Sequence, residues 1–444
     1  MTRKQRIEQI ESRLGKRKLV WFGTRGTDSR ALLEISQFSE VFSIITPFGS
    51  PSLRLEVCLE TLKGLRVDLE LYGLDYDTSP EALDLRRYLF ASLGEPAVVA
   101  TYRPGSFFTS IYYPRSEFVE YLGLFHERQA PFEHKPWVES ELNKLGVRIV
   151  PWRYFGDEEG QRLGEVLEQG PMVLRSSRSD GGAGLRLITA PDDVDKIWPV
   201  HHDSFIGAAP YLAPNIPLNV NACVFRDGSV SLHSPSLQLI GIEGFTNRTF
   251  GYCGNDFAQV RELDVEILDE LERITRTTGK WLASMGYLGA FGIDAIVYDG
   301  KVYLTEVNPR FQGSSDVSAQ LDKNLDRPDI FLEHLAAFLG LSPSRSMCLR
   351  DLVREQGKTS QVVCHNCRPH PTRRSARLVP KLGGISYMLL PASGVTVDPE
   401  AILFRAVIAG SVTEDGRSLS EQYKGQLLES VSRLFDNRST TIGR

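Results

Sequence analysis

An α/β and α+β multidomain fold is predicted by three observations. The chain has 444 residues, more than one ordinary core holds, so about two to four domains are expected. Its first quarter reads as strands alternating with a glycine turn and helical stretches, the pattern of an α/β layer domain. Its centre carries hairpins closed at Asp-Gly pairs and long amphipathic helices, and the last hundred residues change character again. The expected division is an N-terminal α/β domain over residues 1–128, a two-lobed central domain over 129–342, and a small α+β module over 343–444.

In order, residues 3–14 read as a charged helix, and "KLVWFGTRGTDSRALLEIS" as strand, glycine turn and helix. The turn "GTRGTD" departs from G-x-G-x-x-G, so a plain strand-to-helix turn is favoured over a dinucleotide site. "VFSIITPFG" and "AVVATYR" supply further strands. From Lys135, "KPWVESELNKLGVRIVPW" places Val138, Leu142 and Leu145 at helical spacing with Gly146 as a stop. "PMVLRSSRSDGGAGLRLI" puts two strands around a glycine-rich turn, and "PLNVNACVFRDGSVSLHS" is a hairpin closed at Asp227-Gly228. A long helix carries an apolar stripe from Val265 to Met285. Next come a hairpin around Asp299-Gly300, the helix "DIFLEHLAAFLG", and a basic, turn-rich text before "GGISYMLLPASG".

Composition narrows the function classes. Hydrophobic content of 41% with 24% charge is that of a folded, water-soluble chain. No stretch approaches the roughly 18 apolar residues of a membrane span, and the basic start lacks a signal-peptide core. A net charge of −5 argues against a nucleic-acid partner. Six cysteines are too sparse for a disulfide scaffold, which suits a cytoplasmic location.

The informative stretch is "VYLTEVNPRFQGSSD", Val302 to Asp316. Glu306, Asn308 and Arg310 stand at every second position of a strand and so share a face. Asp294 lies on the preceding strand. A two-residue turn at Asp299-Gly300 would pair Asp294 with Thr305 and put Glu306 on the other face. A three-residue loop, Tyr298 to Gly300, or a bulge there would align Asp294, Glu306 and Asn308. Two carboxylates and an amide oxygen form a hard-oxygen set suited to Mg²⁺.

These residues resemble a family. "FGIDAIVYDGKVYLTEVNPRFQGSS" looks like the metal-binding end of the ATP-grasp fold. The upstream segments are similar to its other parts, in order over roughly residues 130–340. The resemblance implies an N-terminal pre-ATP-grasp domain, an ATP-grasp core, and ATP with Mg²⁺ (Mn²⁺ as a substitute) as cofactors. It places Lys135 and Arg175 on the nucleotide, and Gly181, Gly182 and Gly184 over the phosphates. Phe205 and Ile206 fall near adenine, and Asp294, Glu306 and Asn308 on the metal. Arg175 stands where the family usually has lysine, with a structural pair to Asp180 as the competing reading. Arg178 is a weaker loop candidate.

By the same resemblance, a substrate carboxylate attacks the γ-phosphorus to give an acyl phosphate. Arg310 stabilises the phosphoryl oxygens or the later tetrahedral intermediate, with Glu306 and Asn308 sharing the catalytic centre. The overall organisation is similar to natural-product peptide ligases of the pheganomycin type, which implies antibiotic biosynthesis. The implied partners are a small-molecule acid and the amine of an amino acid or peptide. Oligomeric state stays open, a homodimer included. Alternatives are phosphoryl transfer, another carboxylate activation, or a non-catalytic nucleotide-binding module. "CHNCRPH", with Cys364, Cys367 and His370, is half of a zinc motif, and His201-His202 reads as ordinary hydrogen-bonding histidines.

Overall fold

A computed structural model describes residues 1–156, 159, 162–167, 170–176, 181–190, 205–344, 347–380 and 382–436. Arg178, Asp180, His201 and His202 lie outside the described residues.

The N-terminal helix Arg3–Leu14 starts at a capping box between Thr2 and Gln5 and buries Ile7, Ile10 and Leu14. It leads into a five-stranded parallel sheet ordered Leu55–Cys58, Phe38–Ile45, Lys18–Arg25, Ala97–Thr101 and Val119–Leu122. The helix expected after "GTRGTD" is instead a 3₁₀ segment, Gly26–Leu32. Its side chains bond locally: the Ser29 hydroxyl donates to the Gly26 carbonyl at 2.7 Å, and Asp28 accepts from Arg25. Such bonds compete with the α-helical ladder.

Arg153–Gly156, Phe205–Pro210, Met172–Arg175 and Leu185–Ile188 form a small antiparallel sheet in that order. Opposite it stands a nine-stranded sheet. From the edge it runs Lys301–Asn308, Gly289–Tyr298, Ile216–Val224, Ser236–Ile240 and Tyr252–Asp256, then Thr359–His365, Ile402–Ala409 and Ile385–Met388. The ninth strand, Val230–Leu232, pairs with Ile216–Val224. The sheet crosses the expected boundary at 342/343 without a break, because Tyr252–Asp256 pairs antiparallel with Thr359–His365. The C-terminal segment thus completes the central sheet.

Helix Val265–Ser284 packs its stripe on this sheet, and Ile330–Phe338 is buried along its whole length. The latter holds the N-terminal helix through two buried ion pairs, Arg3 to Asp329 and Arg6 to Glu333, the second at 3.1 Å. Phe311 and Phe331 stack at 4.5 Å between the N-terminal sheet and the large sheet, with Trp21 5.7 Å from each. Among the described residues no helix is long and apolar enough to cross a membrane.

Candidate active site

The strands Gly289–Tyr298 and Lys301–Asn308 are joined by a two-residue turn. Tyr298 pairs with Lys301, and Asp299 and Gly300 both have positive φ, 49° and 65°. The three-residue loop is therefore absent. The shift comes from a bulge beyond the third pair after the turn-closing one, where Ala295 faces Leu304 and Asp294 faces Glu306, leaving Thr305 as the extra residue. Gly292 then faces Asn308. Asp294, Glu306 and Asn308 share one face, reached by the bulge and not by the loop.

Across the neighbouring strand, Asn219 faces Asp294 and Asn221 faces Gly292. A side chain on Gly292 would overlap the Gln312 carboxamide, so this glycine leaves the space through which Gln312 reaches that face. Asp294 accepts four amide N–H bonds: Asn219 at 2.7 Å, Asn308 at 2.9 Å, Gln238 at 3.0 Å and Gln312 at 3.2 Å. Because Asn308 donates through Nδ2, its carbonyl oxygen stays available to a cation. Glu306 pairs with the Lys135 ammonium at 3.0 Å, from the first residue of helix Lys135–Lys144. Burial, and then the neighbouring Glu306 carboxylate, push the Asp294 carboxyl up to about 7.

Among the described residues no cluster of three or more His, Cys, Asp or Glu could hold a metal. The face offers two carboxylates and one amide oxygen. That set fits Mg²⁺, which takes few protein oxygens and completes its shell with water and phosphate. The Glu306 carboxylate pushes the Asp294 carboxyl up, a repulsion that a bound cation would relieve.

A stability prediction follows. In the folded state Asp294 keeps its proton up to about pH 7, against about 4 when unfolded. Metal-free protein should therefore lose stability as pH rises between these values, by up to about 1.4 kcal/mol per unit from this group. Denaturation in EDTA at pH 5 and pH 8 should show this loss in wild type and a smaller one in Asp294→Asn. Equal losses would contradict the assignment.

These groups line one cavity of about 310 Å³ between the small sheet, the large sheet and the N-terminal domain. The cavity brings together Lys135, Arg175, Gly181, Gly182, Asp294, Glu306, Asn308 and Arg310. Gly184, Phe205 and Ile206 do not line it. The strand Phe205–Pro210 meets the cavity at its other end, through Ala209, Pro210, Tyr211 and Leu212. With Val150, Val173, Leu185 and Ile296 they form an apolar slot between the two sheets. Gly181 and Gly182 have φ of 53° and 76°, and a side chain on Gly182 would overlap the Phe250 carbonyl. Gly182 thus lies against the strand-side wall at Phe250.

Arg175 is buried and bidentate to Glu139, at 2.6 and 2.7 Å, with its guanidinium 3.9 Å from the Trp152 ring centroid. Its acidic partner in the structure is Glu139. Arg310 Nη1 donates to the Phe311 carbonyl at 3.1 Å.

Asn219, Gln238 and Gln312 were missed by sequence reasoning. A signal existed for the first: "LNVNACV" alternates Asn219 and Asn221 within an apolar strand, as Glu306 and Asn308 do.

Residues 218–314, which include Asp294, Glu306, Asn308 and Arg310, match the model of the ATP-grasp domain. The carbamoyl phosphate synthase large chain of Neisseria meningitidis serogroup B is 28% identical over 183 residues. The match covers 40% of this chain and 16% of that protein, so this chain spans a small part of that relative's length. Among solved structures, the biotin carboxylase–β,γ-ATP complex from Campylobacter jejuni superposes with a TM-score of 0.62 at 14% identity, covering 94% of this chain and 92% of that one. Carboxyaminoimidazole ribonucleotide synthase from Aspergillus clavatus, complexed with ATP, gives 0.60 at 16% identity over 95% and 100%. The domain match on the strands of Asp294 and Glu306 and the likeness over nearly the whole chain show that this protein has an ATP-grasp fold.

Proposed function

We propose that the protein is an ATP-dependent ligase that forms an amide bond between a carboxylic acid and the amine of an amino acid or peptide, releasing ADP and phosphate. The supporting observation is the face of Asp294, Glu306 and Asn308, opening with Lys135 onto a cavity that also holds the apolar slot. The slot suits a purine, and the glycine tip offers backbone N–H groups toward phosphate. Asp294, Glu306 and Asn308 would hold Mg²⁺, which neutralises charge on the phosphates when bound.

The chain's own groups then act by positioning. An acid oxygen attacks the γ-phosphorus as its bond to ADP breaks. Arg310 meets the charge on the transferred group. The amine nitrogen next attacks the acyl carbon, the C–O bond to phosphate breaks, and the nitrogen loses a proton. Water exclusion by the hairpin protects the acyl phosphate from hydrolysis. The reading extends, on the resemblance of the sequence to pheganomycin-type ligases alone, to peptide products of natural-product pathways and to Mn²⁺ in place of Mg²⁺.

Incubation with Mg²⁺-ATP, pooled acids and pooled amines tests the proposal. ADP and phosphate should form only when both pools are present, with a condensation mass equal to acid plus amine minus water. AMP and pyrophosphate would indicate adenylation and reject it. Turnover without an amine would favour phosphoryl transfer.

A further inference from the structure

Beyond the metal face the cavity has a second polar wall that phosphate chemistry leaves unused. Thr24 and Arg25 end strand Lys18–Arg25, while Tyr102 and Arg103 follow the adjacent parallel strand Ala97–Thr101. The strand next in sequence, Phe38–Ile45, lies on the other side of Lys18–Arg25. The crevice is therefore at a topological switch point, where parallel α/β sheets receive ligands. The facing wall is the C-terminal strand Ile402–Ala409, which contributes Arg405.

Both arginines are buried and held by one edge. Arg25 Nε donates to Asp28 at 2.8 and 3.1 Å, and its Nη2 to the Tyr102 hydroxyl at 3.1 Å. Arg405 Nη1 donates to Asp316 at 2.9 Å. The Arg405 Nε, on a residue only 1% exposed, has no hydrogen-bond partner. A buried donor without an acceptor is costly, and a ligand oxygen would remove that cost. Tyr252 stands on the same wall; burial pushes its hydroxyl up, and Arg405 and Arg25 are near enough to oppose the shift.

We propose that this chamber receives the free carboxylate of the amine substrate, so that Arg25 and Arg405 select an amino acid or peptide with an unblocked C-terminal carboxylate. The inference rests on the ligase reading and names its acceptor class. The acid being activated must lie at the metal face, since its oxygen attacks the γ-phosphorus. Arg25 and Arg405 stand on other elements than the strands of Asp294, Glu306 and Asn308, at the end of the N-terminal sheet strand and on the C-terminal strand, and are assigned to the other substrate. Guanidinium forks suit a planar carboxylate, and their aspartates fix them in advance.

The experiment supplies Mg²⁺-ATP, a pool of N-acetyl amino acids as acids, and either the proteinogenic amino acids or their primary amides as amines. Wild type should make products from the free acids about a hundredfold or more faster than from the amides, as expected when a site built to bond a polar group meets an analogue lacking it. Arg25→Gln and Arg405→Gln should each reduce that preference at least tenfold. Hydroxamate formed from the same acids with hydroxylamine reports whether each preparation still activates carboxylates. Equal use of amides by wild type overturns the proposal, as do variants that keep the full preference. Hydroxamate without any amino-acid product overturns it too, leaving the ligase reading intact. No hydroxamate from wild type overturns both. Should Arg405→Gln fail to fold, the wild-type ratio and Arg25→Gln decide.

Discussion

Replacing Glu306 by glutamine is expected to lower ATP-dependent turnover by more than about a hundredfold while leaving the protein folded. Loss of an outer partner of a metal site already costs about 10–100-fold, and Glu306 is placed as a direct ligand. Glutamine keeps the volume and the hydrogen-bonding reach but removes the charge. It also frees the Lys135 ammonium from its 3.0 Å partner. The fold should tolerate the change, because the Glu306 side chain is 27% exposed and lines a cavity rather than the packed core. Initial rates with saturating ATP, read beside a thermal melt, check both halves. Turnover within a few fold of wild type would remove Glu306 from the metal set.

Arg175→Ala is expected to cost about 3–5 kcal/mol of stability, because it leaves the Glu139 carboxylate buried without its partner. The two side chains are 3% and 7% exposed, so solvent cannot compensate. Loss of the stack on Trp152 adds to the cost. Arg175→Lys should recover little of it, since an ammonium cannot reproduce both the fork and the planar stack. The double variant Arg175→Ala with Glu139→Ala should be more stable than Arg175→Ala alone. Urea denaturation of the four proteins measures this directly. If Arg175→Ala stays within about 1 kcal/mol of wild type, the pair is not structural. If lysine instead restores ATP affinity and stability together, a phosphate contact is the better account.

How much of this was legible depends on the kind of interaction involved. The shared face was readable because strand alternation is local: Glu306 and Asn308 interrupt an apolar run two apart, and Asp294 stands alone in "FGIDAIV". The position of the bulge that aligns them was not. It lies beside a contact from outside the hairpin, where Leu304 N–H donates to the Arg148 carbonyl at 2.9 Å. The C-terminal strands were expected as a module of their own, since pairing between residues about a hundred positions apart leaves no periodic trace. Phe205 and Ile206 were placed near adenine by resemblance to a linking segment, which locates a strand without saying which end meets the cavity. The arginines of the second wall were unreadable for a similar reason. Arg25 ends one strand and Arg405 lies within another, apolar one, and only the packing of the N-terminal sheet against the C-terminal strand puts them in one chamber.

The most direct test of the central claim follows an oxygen atom. An acid identified as a substrate is labelled with ¹⁸O in its carboxylate and turned over with Mg²⁺-ATP and the amine. If the carboxylate attacks the γ-phosphorus, one labelled oxygen bridges carbon and phosphorus in the acyl phosphate and leaves with the phosphate when nitrogen attacks. Mass spectrometry should then find one ¹⁸O in inorganic phosphate for each amide formed, and none in the nucleotide. Label in AMP, or unlabelled phosphate alongside amide product, would contradict it.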